Sequence, residues 1–212
     1  MNTKTALIIT AGVFAAALLY SLALYPRLPE PMPCHWNGRG ELDGYCSKTV
    51  GTLLMPGLML LTVGLLLVLP AFTVRQMSVR SFLPTFNYLI VVCQAMYGYI
   101  HVVLLQAALN TSLDILRTLM GGIFFFLALI GNQMGKLRRN PWAGVRTPWT
   151  LNSDEVWITT HRFAARLWTA TGLLCTVLIL LRVPAMHVMM IGLPVLLLPI
   201  PYSYVAYKRL AG

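Results

Sequence analysis

The stretch "FNYLIVVCQAMYGYIHVVLLQAA", Phe86 to Ala108, decides the fold. It runs without a charge past the length of about 20 residues that a helix needs to cross the hydrocarbon of a bilayer. An amphipathic surface helix would carry a charged face, and a barrel strand would alternate polar and apolar residues over a segment of about ten. Phe86–Ala108 does neither, so we read it as a membrane-spanning helix. Five further runs are largely of the same kind: Ala6–Tyr25, Thr52–Phe72, Leu113–Gly131, Phe163–Leu181 and Met186–Tyr207. The whole chain has 212 residues, of which 58% are hydrophobic and 10% charged, against roughly 25% charged in a soluble domain. The expected fold is therefore an all-α membrane protein, a six-transmembrane-helix bundle that makes residues 1–212 a single integral membrane domain.

The net charge of +10 does not point to nucleic acid, because the cations sit at the ends of apolar runs. With six spans, Lys4, Arg75, Arg80, Lys136, Arg138, Arg139, Arg146, Arg162, Lys208 and Arg209 fall on one side and Arg27, Arg39, Lys48 and Arg182 on the other. The positive-inside rule then places both termini in the cytoplasm. Prolines at 194, 199 and 201 predict a broken sixth span.

Within the opening stretch, Asn87, Gln94 and His101 recur every seven residues, with Gly98 on the same side. At 100° per residue such a series stays on one helix face, drifting about 20° per heptad. Polar groups in lipid must look into the bundle, so the stripe is either glue between helices or the lining of a cavity. Asp114 and Arg117 are spaced for a local ion pair. Cys93 and Cys175 read as plain core residues.

Two hydrophilic segments interrupt the apolar runs. The first, residues 26–50, is expected to be a small ordered extracytoplasmic loop. Prolines at alternating positions favour extended backbone, and Gly38, Gly40 and Gly44 supply turns. Cys34 and Cys46 bracket it and either form a disulfide or remain thiols. Cys34, His35, Asp43 and Cys46 are metal-ligand types, but their spacing matches no zinc pattern, so no metal or other cofactor is expected.

The second segment, residues 132–162, is expected to be a structured cytoplasmic loop. Lys136, Arg138 and Arg139 form a basic collar suited to anionic headgroups, and Trp142, Trp149 and Trp157 can anchor at the interface. Pro148 fixes a turn, and "LNSDEVW" has the marks of a helix start, with Asn152 or Ser153 as cap and Asp154 and Glu155 in the first turn. No nucleophile elbow, HExxH, P-loop or paired carboxylates stand in the sequence, which argues against an enzyme.

The segment "GNQMGKLRRNPWAGVRTPWTLNSDEVWITTHRFAARLW", Gly131 to Trp168, resembles the signature of the SdpI bacterial immunity-protein family. The outer "LPEPMPCHWNGRGELDGYCSK" is similar to the domain of unknown function common at the N-terminus of such proteins. On this resemblance the signature positions are Asn140, Gly144, Arg146, Thr147, Pro148, Trp149, Thr150, Trp157, Thr160 and Arg162. Those of the cap are His35, Trp36, Asn37, Gly40, Asp43, Gly44 and Lys48. The resemblance implies a multi-pass protein of the bacterial inner membrane that confers resistance to a secreted peptide toxin. It also implies signal transduction, with the signature loop sequestering a cytoplasmic repressor protein; membrane lipids are the remaining expected partner, and no direct nucleic-acid contact is expected. The alternative is a membrane enzyme or small transporter acting on a lipid or peptide through a polar intramembrane cavity.

Overall fold

The computed structural model describes residues 1–71, 73–74, 77–110 and 112–211. Phe72, the expected end of the second span, and Arg75, one of the cations assigned to the inner side, lie outside them. Among the described residues six helical segments are long and apolar enough to span a membrane: Thr3–Arg27, Lys48–Val68, Arg80–Leu109, Ile115–Met134, Asp154–Leu180 and Ala185–Leu210. Their helices are α1 (Thr3–Leu24), α2 (Lys48–Val68), α3 (Leu83–Leu109), α4 (Ile115–Met134), α6 (Asp154–Leu180), α7 (Ala185–Leu197) and α8 (Pro199–Ala211), with a short α5 (Pro148–Asn152) before α6. Leu19, Leu22, Leu60, Leu61, Leu180, Met190 and Ile191 stay exposed. In a bilayer these side chains face acyl chains, and helices with internally satisfied backbones are the elements that tolerate it.

One boundary differs markedly from the sequence reading. The fifth span was expected from Phe163, but α6 begins at Asp154. Ser153 caps it by accepting from Val156 N–H, and Asp154 and Glu155 occupy its first turn. The helix start at "LNSDEVW" and the span are therefore one continuous element, and the expected loop 132–162 contracts to the chain between Met134 and Ser153. The last span does break, at Leu198 between α7 and α8, while Pro194 is carried inside α7. Pro199 and Pro201 cannot donate to the carbonyls one turn back, and Trp168 Nε1 donates to the nearby Leu196 carbonyl at 2.8 Å.

α3 is packed against α1, α2 and α4, and α6 against α4, α7 and α8. At Gly131 a Cβ would stand 2.6 Å from Trp168 Cβ, and at Gly172 one would stand 2.6 Å from the Phe124 carbonyl. Small residues thus let α4 and α6 approach backbone to backbone.

The polar stripe on α3 is bonded to its neighbours. Asn87 donates to Met1 O and Thr3 Oγ1, Gln94 to Met59 O and Thr62 Oγ1, and His101 Nε2 shares a 2.7 Å bond with Ser21 Oγ. All three are fully buried, and each keeps one atom without a partner: Asn87 Oδ1, Gln94 Oε1 and His101 Nδ1. The expected Asp114–Arg117 pair is long, at 4.0 Å. Asp114 caps α4 through Arg117 N–H, and Arg117 Nε donates to the Ile179 carbonyl of α6 at 3.1 Å.

The first hydrophilic segment is a β-hairpin, β1 (Met32–Trp36) against β2 (Leu42–Cys46). Leu28 and Met32 seat it on α3 beside Leu105 and Ala108. A second, minimal pair, β3 (Thr73–Val74) and β4 (Met77–Ser78), links α2 to α3. The hairpin lies at the Val103–Ala107 end of α3, where Trp36 packs, whereas Trp157 and Leu137 pack at the Phe86 end. Met1 lies at that second end too, bonded to Asn87 and Pro84. α8 packs on α5, with Tyr207 stacked on Trp149, so Met1 and the last described helix share the end that carries the signature loop.

Candidate functional site

The signature loop is a hydrogen-bonded body rather than a tether. Asn140 is fully buried and organises its first turn. Its Oδ1 accepts from Trp142 N–H and Ala143 N–H, both at 2.8 Å, and its Nδ2 donates to the carbonyls of Arg138 (2.7 Å) and Ala143 (3.1 Å). Gly144 follows at φ +117°, where a Cβ would meet His161 Nε2 at 2.3 Å. That approach lets Val145 N–H donate to His161 Nε2 at 3.0 Å. An acceptor at Nε2 puts the ring proton on Nδ1, which donates to the Trp157 carbonyl at 2.8 Å. The imidazole is thus a neutral latch between loop and helix, stacked on the Trp157 ring at 4.0 Å.

Trp157 completes the latch by donating from Nε1 to the Leu137 carbonyl at 2.8 Å. Thr147 caps α5 in a capping box with Thr150, and Thr150 Oγ1 donates to the Val145 carbonyl at 2.8 Å. Pro148 sits at the first position of α5, where a missing N–H costs nothing. Trp149 reaches α8: its Nε1 donates to Ser203 Oγ at 2.6 Å and its ring packs on Tyr204 and Tyr207. Arg146 donates to the Pro141 carbonyl at 2.7 Å inside the loop. Arg139 is drawn to Asp154 (2.8 Å) and the Leu151 carbonyl (3.0 Å). Thr160 is buried with its hydroxyl unpartnered, and Arg162 is exposed.

A cavity of about 430 Å³ opens beside this body, lined by Leu89, Met134, Val145, Arg146, Trp168 and Ile200 among others. A smaller pocket of about 300 Å³ lies on the other side of Leu137, between Lys136, Arg138 and Arg162.

The cap residues gather on the hairpin. His35 Nδ1 meets Asp43 Oδ1 at 2.5 Å, and Gly44 lies against His35, where a Cβ would stand 2.8 Å from His35 Cβ. Asn37 Oδ1 accepts from Arg39 N–H and Glu41 N–H across the turn, while Gly40 takes φ +80°. Lys48 N–H donates to Glu30 Oε2, and its ammonium lies 4.5 Å over the Tyr25 ring. Cys34 and Cys46 are free thiols on the paired strands β1 and β2. Burial first, and then the neighbouring Cys34, push the Cys46 thiol up to about 11.

The structure joins the signature residues Asn140, Gly144, Thr147, Thr150 and Trp157 in one network and leaves the cap residues at the opposite end. Sequence reasoning missed His161, Ser203, Leu137 and Trp168. His161 stands four residues after Trp157, on the same face, and that signal becomes readable once α6 is extended back to Asp154.

These features define a class: a six-span helical membrane protein with a hairpin cap at one end and a latched loop at the other. Residues 136–204 match the model of the SdpI/YfhL protein family, and residues 12–60 match the domain of unknown function DUF1648. The chain is 29% identical to the immunity protein SdpI of Bacillus subtilis (strain 168), over 97% of each chain. The chain is thus similar to the SdpI/YfhL family over the signature loop and last span, and to that immunity protein along its length. No solved structure matches it.

Proposed function

We propose that this chain is a membrane immunity protein that protects the cell making it from a secreted toxic peptide. The observation that carries the reading is the full-length likeness to a protein named for immunity, spanning cap, bundle and signature loop alike. The excess of cations at the end bearing Met1 and α8 supports a cytoplasmic signature loop and an outer cap. On that orientation the hairpin, with its exposed His35–Asp43 pair, is the part that meets the peptide. The latched loop presents a fixed inner face to a cytoplasmic partner such as a repressor, and its rigidity suits docking because little ordering entropy remains to be lost on binding.

The bonds of Asn87, Gln94 and His101 to α1 and α2 favour helix glue over a transport or catalytic cavity. The test is deletion of the gene followed by challenge with secreted peptides of related strains, read as survival. Loss of survival on deletion, with rescue by the wild-type chain, is the expected result. Unchanged survival across the peptide panel, with the protein shown present before deletion, overturns the reading.

A further inference from the structure

The basic collar does not act as one unit. Of its three cations, Arg139 is engaged by Asp154 and the Leu151 carbonyl. Leu137 is buried beneath Trp157, so its sequence neighbours Lys136 and Arg138 turn the other way. They meet Arg162 of α6, which lies in van der Waals reach of Gly135. Lys136, Arg138 and Arg162 line one pocket of about 300 Å³ with Gly135, Leu137 and Ile158, and no carboxylate is in its wall. Among the described residues none of the three side chains has an ion-pair or hydrogen-bond partner.

Three converging cations without a counter-ion repel one another, and the positive-inside rule explains their side of the membrane but not their convergence. The pocket begins at Gly135, one residue beyond the apolar span that ends at Met134, which is headgroup depth. Leu137 is also a wall of the larger, mostly apolar cavity. Cations at headgroup depth, on a helix end whose span meets acyl chains, complement the phosphate of a lipid in the same leaflet.

We propose that Lys136, Arg138 and Arg162 bind the phosphate of an anionic glycerophospholipid from the leaflet at the signature-loop end. The site is independent of any toxin, so its test does not depend on the immunity reading. The full chain is reconstituted in zwitterionic vesicles containing acyl-brominated phosphatidylglycerol, or acyl-brominated phosphatidylcholine at equal mole fraction, and tryptophan quenching is measured. Trp168 lines the larger recess and Trp157 is bonded to Leu137, which walls both, so the anionic lipid is expected to quench more strongly. Each of K136Q, R138Q and R162Q is expected to weaken that preference about fivefold, while the double variant K208Q/R209Q at the far end of α8 keeps it. These side chains are exposed, and circular dichroism checks that the variants remain folded. Equal quenching by the two lipids overturns the proposal. So does displacement by millimolar inorganic phosphate, which would mark a free-anion site, or by an acidic peptide in place of lipid.

Discussion

The hairpin cap and the signature loop are both polar inserts in an apolar chain, yet they hold themselves together differently. In the cap the polar side chains are spent locally and in reach of water: His35 on Asp43, and Asn37 on the turn from Arg39 to Glu41. In the loop, local bonds are joined by buried or part-buried ones that tie distant parts of the chain, as Val145 to His161 and Trp149 to Ser203 show. An exposed pair exchanges solvent for partner at little net gain, whereas a buried group that loses its partner keeps its full desolvation cost. The surface of the cap can therefore vary at little cost in stability, whereas the loop is fixed by folding.

That contrast is sharpest at Gly144, where a side chain meets both an unfavourable φ and the His161 ring. Gly144→Ala is expected to destabilise the protein by about 3 kcal/mol, read as a large fall in thermal stability in detergent. A Tm unchanged within error would show that the loop is not latched. Asn140→Ala follows, at about 2 kcal/mol, because it strands two part-buried N–H donors and two carbonyls; the same melting experiment checks it. Trp149→Phe, which loses the bond to Ser203, is expected to cost about 1 kcal/mol.

At the smaller end, His35→Ala and Asp43→Asn are expected to shift stability by less than about 0.5 kcal/mol while reducing survival under peptide challenge. Equal losses of protein level and survival on quantitative blots would erase the distinction between cap and loop. The Cys46 thiol is held protonated, so its labelling by a membrane-impermeant maleimide should be slow at pH 7 and keep rising toward pH 10, since only the thiolate reacts. A rate that levels off below pH 9 would contradict the packing of Cys46 against Cys34.

The legible parts of this molecule are those governed by short-range rules. Apolar length gave the spans, Asn152 or Ser153 ahead of Asp154 and Glu155 gave a helix start, and the proline cluster gave a broken sixth span. Pro194 and Pro199 looked alike in that cluster, but only Pro199 breaks the helix. The prolines of the cap pointed to extended backbone, yet the pairing of β1 with β2 was not read from them. The heptad spacing of Asn87, Gln94 and His101 revealed a polar face; its partners Thr3, Thr62 and Ser21 are on other helices, and no spacing within α3 names them.

The sequence by itself determined that this chain crosses the membrane as helices, how many times, and which cations gather at which end. Those outcomes follow from the cost of exposing backbone and charge to lipid, a cost each segment meets alone. Only the tertiary structure decided that His161 holds Val145, that Trp157 holds Leu137, and that Lys136, Arg138 and Arg162 share one pocket while Arg139 turns to Asp154. Those contacts form between segments that are brought together by the packing of α4 on α6, so their energy belongs to no single stretch of the chain.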